Sequence, residues 1–173
     1  FRTVSTNPCG EIPLCPYDSC RLLALNLFSY VDNPFKADAK FNFERFRDHV
    51  GKAMHMMDDI IDLELEKVEQ IIAKIEADPE DEDVRRVELE LWKKIRTMAL
   101  KGRRTGLGIT AEGDMLAALG LRYGSPEAID FAVEVQKTLA VEAYRASVKM
   151  AAERGPFPIY DAAREVNNPM IAR

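Results

Sequence analysis

The chain is poor in the residues that usually announce a metal or a nucleic-acid site. It has two histidines, His49 and His55, and three cysteines, none of them in a CxxC pair. The gaps between the cysteines are five and four residues and contain prolines, which suits neither a structural zinc site nor a thioredoxin-type couple. Lys and Arg number 24 against 29 Asp and Glu, a net charge of −5, so no basic stripe offers itself to phosphates. No apolar run reaches the roughly 18 residues of a membrane helix, and no signal peptide opens the chain. The expectation is therefore no nucleic-acid partner and no membrane. An odd cysteine count without secretory context adds a reducing, cytoplasmic compartment. Phe1 in place of a start methionine, and the closing NNPMIAR, lead us to expect an internal piece of a longer chain.

What is there begins with 173 residues that are 47% hydrophobic, enough for one core of ordinary size. FRTVST (1–6) reads as a short strand or extended lead-in. Pro8, Gly10, Pro13 and Pro16 make residues 7–19 a rigid loop, since proline fixes φ and removes a donor. CRLLALNLFSYV (20–31) is apolar throughout and reads as a buried strand, with a buried helix as the rival. From Phe43 the period turns helical, with Phe43, Phe46, Val50, Met54, Met57 and Ile61 on one face, continuing through Leu65, Val68, Ile72 and Ile75. ADPEDED (77–83), with a proline and five acids, reads as an exposed connector. Val84, Val87, Leu91, Ile95 and Met98 predict a second helix ending in the basic 101–104. TGLGIT (105–110) reads as a buried strand, and Glu112–Leu119 as a short helix stopped by Gly120. Ser125-Pro126-Glu127 starts a helix that runs to Arg154. This order suits a mixed α/β arrangement dominated by helices, with a stand-alone helical domain as the rival.

Several groups invite chemistry. The three cysteines read as buried thiols, as zinc ligands, or as a redox set in which Cys9 and Cys20 meet. In Asn7-Pro8-Cys9-Gly10-Glu11, an extended backbone would point residues 7, 9 and 11 the same way. An amide, a thiol and a carboxylate would then face one substrate: Asn7 orienting hydroxyls, Cys9 supplying nucleophile or hydrogen-atom chemistry, Glu11 taking a proton. Gly10 would leave room for a ligand. His55 with Asp58 and Asp59 is a single reversed copy of a carboxylate-metal motif and reads as a solvated helix face. MHMM (54–57) reads as core filling. Gly106-Leu107-Gly108 departs from GxGxxG and reads as close packing of a strand. Arg103 and Arg104 read equally as phosphate ligands or as a solvated helix end.

NPCGEIPL followed by DSC and LNL resembles the active-site loop of ribonucleotide reductase large chains. GRRTGLGITAEGDMLAALGLRYGS followed by EAYRASVKMAAERGPFP resembles the same family downstream. The resemblance covers nearly the whole chain and is strongest to the adenosylcobalamin-dependent class II enzymes. It implies an α/β fold: part of a ten-stranded α/β barrel, with residues 7–16 as the finger loop threaded through it. It implies a thiyl radical on Cys9 that takes the hydrogen atom from C3′ of a ribonucleotide. Glu11 would be general base on the 3′-hydroxyl, and Asn7 would hydrogen-bond the ribose hydroxyls. Gly10 would lie beside them against the substrate. Cys20 would be one half of a redox disulfide whose other half lies upstream, outside this chain.

Adenosylcobalamin is the implied cofactor, with no metal ligand from the chain. A thioredoxin-like or dithiol reductant, allosteric nucleotides and a homodimer are the implied partners of the parent. Cys15 has no role in the family pattern. LLALNL replaces a Gly-Ser pair found in many relatives, which alters packing. Residues 63–100 look like a helical insertion within a single fragment spanning 1–173. The family's phosphate loop and first redox cysteine are missing, so the fragment alone is expected to be inactive. Two rivals stand beside this reading: a class I large chain served by a separate radical-generating subunit, and a non-catalytic helical interaction module.

Overall fold

A computed structural model of the chain describes residues 3–10, 12–19 and 21–168. The elements run β1 (Ser5–Thr6), β2 (Pro13–Leu14), β3 (Arg21–Asn26), a 3-10 turn (Leu27–Tyr30), β4 (Val31–Asp32), β5 (Lys40–Phe41), α1 (Phe43–Ala77), α2 (Glu82–Gly102), β6 (Thr105–Thr110), α3 (Glu112–Ala118), α4 (Pro126–Arg154) and α5 (Ala162–Glu165). The mixed, mostly helical character expected from the sequence is what the chain adopts. Among the described residues every sheet has two strands and no barrel closes.

The described residues fall into two compact units. One is drawn from Arg21–Ile60 and Thr105–Glu153. Its centre is the parallel pair β3–β6, in register from Arg21 opposite Thr105 to Asn26 opposite Thr110. A parallel pair needs a long crossover, and α1 and α2 lie between the two strands in sequence. The segment 20–31 is a strand for only six residues and then tightens into the 3-10 turn. β3 alternates in exposure, with Leu22 64% exposed, where a continuously buried strand was expected.

The core of this unit is aromatic. Tyr30, Phe41 and Phe46 pack edge to face or tilted at 5.0–5.9 Å between ring centroids, and Phe131 joins from α4. Phe46, Val50 and Met57 are buried as their helical spacing predicted; Ala53, not Met54, fills the position between them. Asn42 caps α1, its side-chain oxygen accepting from the Arg45 N–H at 3.0 Å. Burying a side chain of the size of Phe46 contributes about 2–3 kcal/mol.

The other unit is drawn from Phe1–Cys20, Ile61–Arg104 and Arg154–Arg173. It holds β1, β2, the second half of α1, α2 and α5. Ile61, Val68, Ile72 and Ile75 are buried along α1, as predicted. On α2 the expected apolar stripe is buried only toward its C-terminal end: Val84, Val87 and Leu91 are 48%, 59% and 43% exposed, whereas Ile95 and Met98 are partly buried, as is Trp92, and Ala99 is buried. Ion pairs join α2 and its C-cap to α1, with Lys93 on Glu76, Arg96 on Glu69 and Arg103 on Asp62. The acidic connector is also more than a solvated link. Asp81 caps α2 by accepting from the Asp83 N–H at 2.9 Å, and Glu82 and Asp83 occupy the first turn, where negative charge meets the positive helix end.

Candidate active site

The cysteine-bearing segment folds as a hairpin. β1 and β2 pair antiparallel, Ser5 opposite Leu14 and Thr6 opposite Pro13. The ladder continues one step to Asn7, whose N–H donates to the Ile12 carbonyl at 3.1 Å. The Asn7 carbonyl then accepts from the Gly10 N–H at 3.0 Å, closing a β-turn over Pro8 and Cys9. Pro8 suits the first central position, and Cys9 is not among the positive-φ residues, which makes the turn type I. Gly10 follows at φ +83, the left-handed residue that lets a type I turn enter a hairpin. Glycine stands there for its backbone: a Cβ at Gly10 would meet nothing within 4 Å among the described residues.

This geometry corrects one expectation. The backbone from Asn7 to Gly10 is a tight turn, so the alternation that would align residues 7 and 9 on one face does not apply. Asn7 is buried, 5% exposed, and its side-chain oxygen accepts from the Ile12 N–H at 2.9 Å. Cys9 is a free thiol, exposed at the tip. Glu11 and Cys20, expected as base and redox cysteine, lie outside the described residues. Cys15 is a free thiol, 4% exposed, and belongs to the core. The reading of all three cysteines as buried thiols therefore fails at Cys9 and holds at Cys15.

The base of the hairpin is built from residues that sequence reasoning passed over. Cys15-Pro16-Tyr17-Asp18 is a second turn, closed by the Asp18 N–H on the Cys15 carbonyl at 3.1 Å. Pro16 at the first central position and Tyr17 at φ +63 define type II, whose second central position ordinarily takes glycine. The Lys94 ammonium lies 5.4 Å from the Tyr17 ring centroid. Asp18 has a side chain only 1% exposed, and Arg104 Nε reaches its carboxylate at 2.8 Å. Arg104 thus grips the loop instead of ending a helix in solvent. Arg103 takes the left-handed C-cap of α2 and pairs with Asp62 at 2.8 Å. The signal for Tyr17 and Asp18 was present as C-P-Y-D, a proline at a turn's first central position; nothing local marked Arg104 as the partner.

The remaining candidates are placed as follows. His49 is exposed, and its Nδ1 is 3.2 Å from Tyr30 Oη. Burial raises the Tyr30 hydroxyl above the ordinary tyrosine range, and Arg45 partly offsets this. His55 is partly buried on α1. Gly106 to Gly108 lie within β6, and a Cβ at Gly108 would meet nothing within 4 Å among the described residues, so close packing there does not explain that glycine. Among the described residues no cluster of three or more His, Cys, Asp or Glu is arranged to hold a metal ion, and no helix is long and apolar enough to cross a membrane.

Residues 2–170 match the family model described as ribonucleotide reductase, barrel domain. The chain belongs to that family. It is 37% identical over 156 residues to the vitamin B12-dependent ribonucleoside-diphosphate reductase of Thermoplasma acidophilum, covering 90% of this chain and 17% of that one. A protein of the same description from Mycobacterium tuberculosis is 32% identical over 163 residues, 94% of this chain and 19% of that one. The ribonucleoside-diphosphate reductase subunit alpha of Chlamydia pneumoniae is 26% identical, covering 92% of this chain and 13% of its own. The chain spans less than a fifth of the length of these curated relatives.

The described residues do not by themselves fit a corrin. A depression of about 720 Å³ is lined mainly by aliphatic side chains such as Leu116, Ala128, Ile129 and Val133, which would leave a corrin's many amides unpaired. His49, the histidine with a defined partner, faces Tyr30.

Proposed function

We propose that this chain is the thiyl-bearing segment of a class II ribonucleotide reductase, which makes 2′-deoxyribonucleotides from ribonucleotides. The observation that carries the proposal is Cys9: an exposed thiol at the tip of a hairpin whose turn is closed by the Gly10 N–H on the Asn7 carbonyl and whose strands are tied by Asn7 and Ile12. A radical thiol must meet one hydrogen atom of its substrate, and a pre-organised tip lowers the cost of that alignment.

In this reading Cys9 loses its thiol hydrogen atom to a radical supplied from outside the chain. The thiyl takes the C3′ hydrogen atom of the ribose. Glu11 accepts the 3′-hydroxyl proton, and the 2′-hydroxyl leaves as water with a proton from a thiol pair. That pair supplies two electrons and the hydrogen at C2′ as it becomes a disulfide. Cys9 returns its hydrogen atom to C3′, which restores the thiyl while the 3′-oxygen recovers its proton. Cys20 is proposed as one member of that pair, its partner lying elsewhere in the parent, to be reduced again by a thioredoxin-like protein or a dithiol. Gly10 lies beside the substrate, and the Asn7 amide group donates to the ribose. The strands β3 and β6 are two of the ten of the parent's barrel, and 63–100 is a helical insertion relative to shorter members of the family.

Adenosylcobalamin is the proposed source of the radical, on the strength of the two relatives described as vitamin B12-dependent. The match to a subunit alpha favours a second reading, in which a separate subunit generates the radical. The test uses the intact parent, anaerobically, with a ribonucleotide and a dithiol, and measures deoxyribonucleotide with and without adenosylcobalamin. Product only with the cofactor, lost in Cys9→Ala, supports the class II reading. Product that needs an added radical subunit supports the second. Full turnover by Cys9→Ala sinks both.

A further inference from the structure

Three hydrogen bonds between Asn7 and its neighbours in the hairpin form a pattern that is unusual for a strand residue. In an antiparallel hydrogen-bonded pair, the two opposed residues exchange both N–H···O=C bonds. Asn7 and Ile12 complete only half of that exchange through the backbone, with the Asn7 N–H on the Ile12 carbonyl at 3.1 Å. The Asn7 carbonyl cannot complete the other half, because it is turned onto the Gly10 N–H at 3.0 Å. The Ile12 N–H goes instead to Asn7 Oδ1 at 2.9 Å. The side chain of Asn7 therefore stands in for its own backbone carbonyl. Without it, the type I turn over Pro8-Cys9 and the cross-strand bond to Ile12 would compete for one acceptor.

We propose that Asn7 is a positioning residue for Cys9: its side-chain oxygen holds Ile12, which releases its backbone carbonyl to form the turn that sets the thiol at the exposed tip. This rests on the reading of Cys9 given above and adds to it a task that does not involve touching the ribose. The chemistry suits a carbonyl or carboxylate oxygen borne one methylene from Cα, which Asn and Asp supply; a Ser hydroxyl oxygen is one bond shorter in reach and the weaker substitute. Asn7 is 5% exposed and Ile12 is half-buried, so an Ile12 N–H left without this acceptor would be only partly compensated by water.

The experiment compares Asn7→Asp with Asn7→Leu in the parent reductase. Asp keeps the acceptor for Ile12 and loses the amide donors; Leu loses both. Steady-state kinetics are read beside hydrogen exchange at the Ile12 amide and the alkylation rate of Cys9. The expected result for Asn7→Asp is a raised KM, kcat within about tenfold of the parent, and a protected Ile12 amide. For Asn7→Leu the expectation is a further loss in kcat of about a hundredfold, fast exchange at Ile12 and altered Cys9 alkylation. Equal kcat in the two variants, or an Ile12 amide still protected in Asn7→Leu, overturns the proposal while leaving the role of Cys9 intact. Cys9→Ala is assayed alongside: turnover surviving there overturns the reading of Cys9 and with it the catalytic consequence claimed for Asn7.

Discussion

Arg104 Nε stands 2.8 Å from the carboxylate of Asp18, whose side chain is 1% exposed while that of Arg104 is 25% exposed. The pair joins the residue that precedes β6 to the base of the thiol hairpin, 86 positions apart in sequence. Such a pair is asymmetric in its consequences. Removing the cation leaves a buried carboxylate uncompensated, at about 3 kcal/mol or more, whereas neutralising the acid leaves a polar amide that still accepts. Arg104→Met is expected to open residues 12–19 to hydrogen exchange in the parent, and Asp18→Asn to do so by less. Equal protection in Arg104→Met and the parent would show that the pair does not hold the loop.

Tyr17 carries backbone strain. It sits at φ +63 in a type II turn, a conformation that costs a residue with a Cβ about 1–2 kcal/mol. The Lys94 contact offsets part of this. Comparing Tyr17→Gly with Tyr17→Ala removes the ring in both and isolates the backbone. The glycine variant is expected to protect the Asp18 amide more than the alanine variant, by about 1 kcal/mol, the reverse of their order in a helix. Alanine equal to or better than glycine would mean the turn relaxes to another type.

What the sequence made legible, and what it did not, follows from the range of the forces involved. α1, α2, α3 and α4 announced themselves because caps, helix period and the stops at Gly120 and Gly155 act within a few residues. The exposed face of α2 was misread because Val84, Val87 and Leu91 form a good helical stripe on their own. Which part of that stripe is buried depends on how α2 meets α1, and Lys93, Arg96 and Arg103 find partners on α1 at positions no local rule connects. At the candidate site, the alternation argument for Asn7 and Cys9 presumed an extended chain. Asn-Pro-x-Gly is itself a turn signature, with Asn first, Pro second and Gly fourth. That local signal was available and outweighs alternation. The exposure of Cys9 and burial of Cys15 follow from the hairpin once the turn is placed. The Asp18–Arg104 pair depends on tertiary contact and could not be read from either segment alone.

Glu127 gives α4 a pH-dependent start. Its carboxylate accepts from its own backbone N–H and from the Ser125 hydroxyl, which together hold its pKa below the ordinary glutamate value. The Ser125 oxygen also faces the Ala128 N–H at 3.3 Å, as an N-cap does. A depressed folded-state pKa adds stability above the unfolded value, and that contribution disappears as pH falls through the folded one. The first-turn amides of α4 are therefore expected to lose protection in acid below the usual glutamate range, and Glu127→Gln to flatten that dependence. Ser125→Ala is expected to weaken the turn at neutral pH by about 1 kcal/mol. A pH profile of exchange unchanged by Glu127→Gln would remove Glu127 from the cap.

Cys9 and Cys15 make opposite demands on a thiol reagent. Both are free, Cys9 exposed at the hairpin tip and Cys15 4% exposed beneath its base. Alkylation of Cys9 needs no opening of the structure, whereas Cys15 reacts only in molecules that have locally unfolded. Brief treatment of the parent with iodoacetamide, followed by peptide mapping, is expected to modify Cys9 and spare Cys15. Substitution should separate them in the other direction. Cys15→Ser buries a hydroxyl where a weakly polar thiol packed, at a cost of about 1–3 kcal/mol, and Cys9→Ser leaves stability near the parent's while abolishing deoxyribonucleotide formation. Labelling of Cys15 as fast as Cys9 would contradict the packing seen at the base of the hairpin. A Cys9→Ser enzyme that still turns over would show that the exposed thiol is not the reacting one.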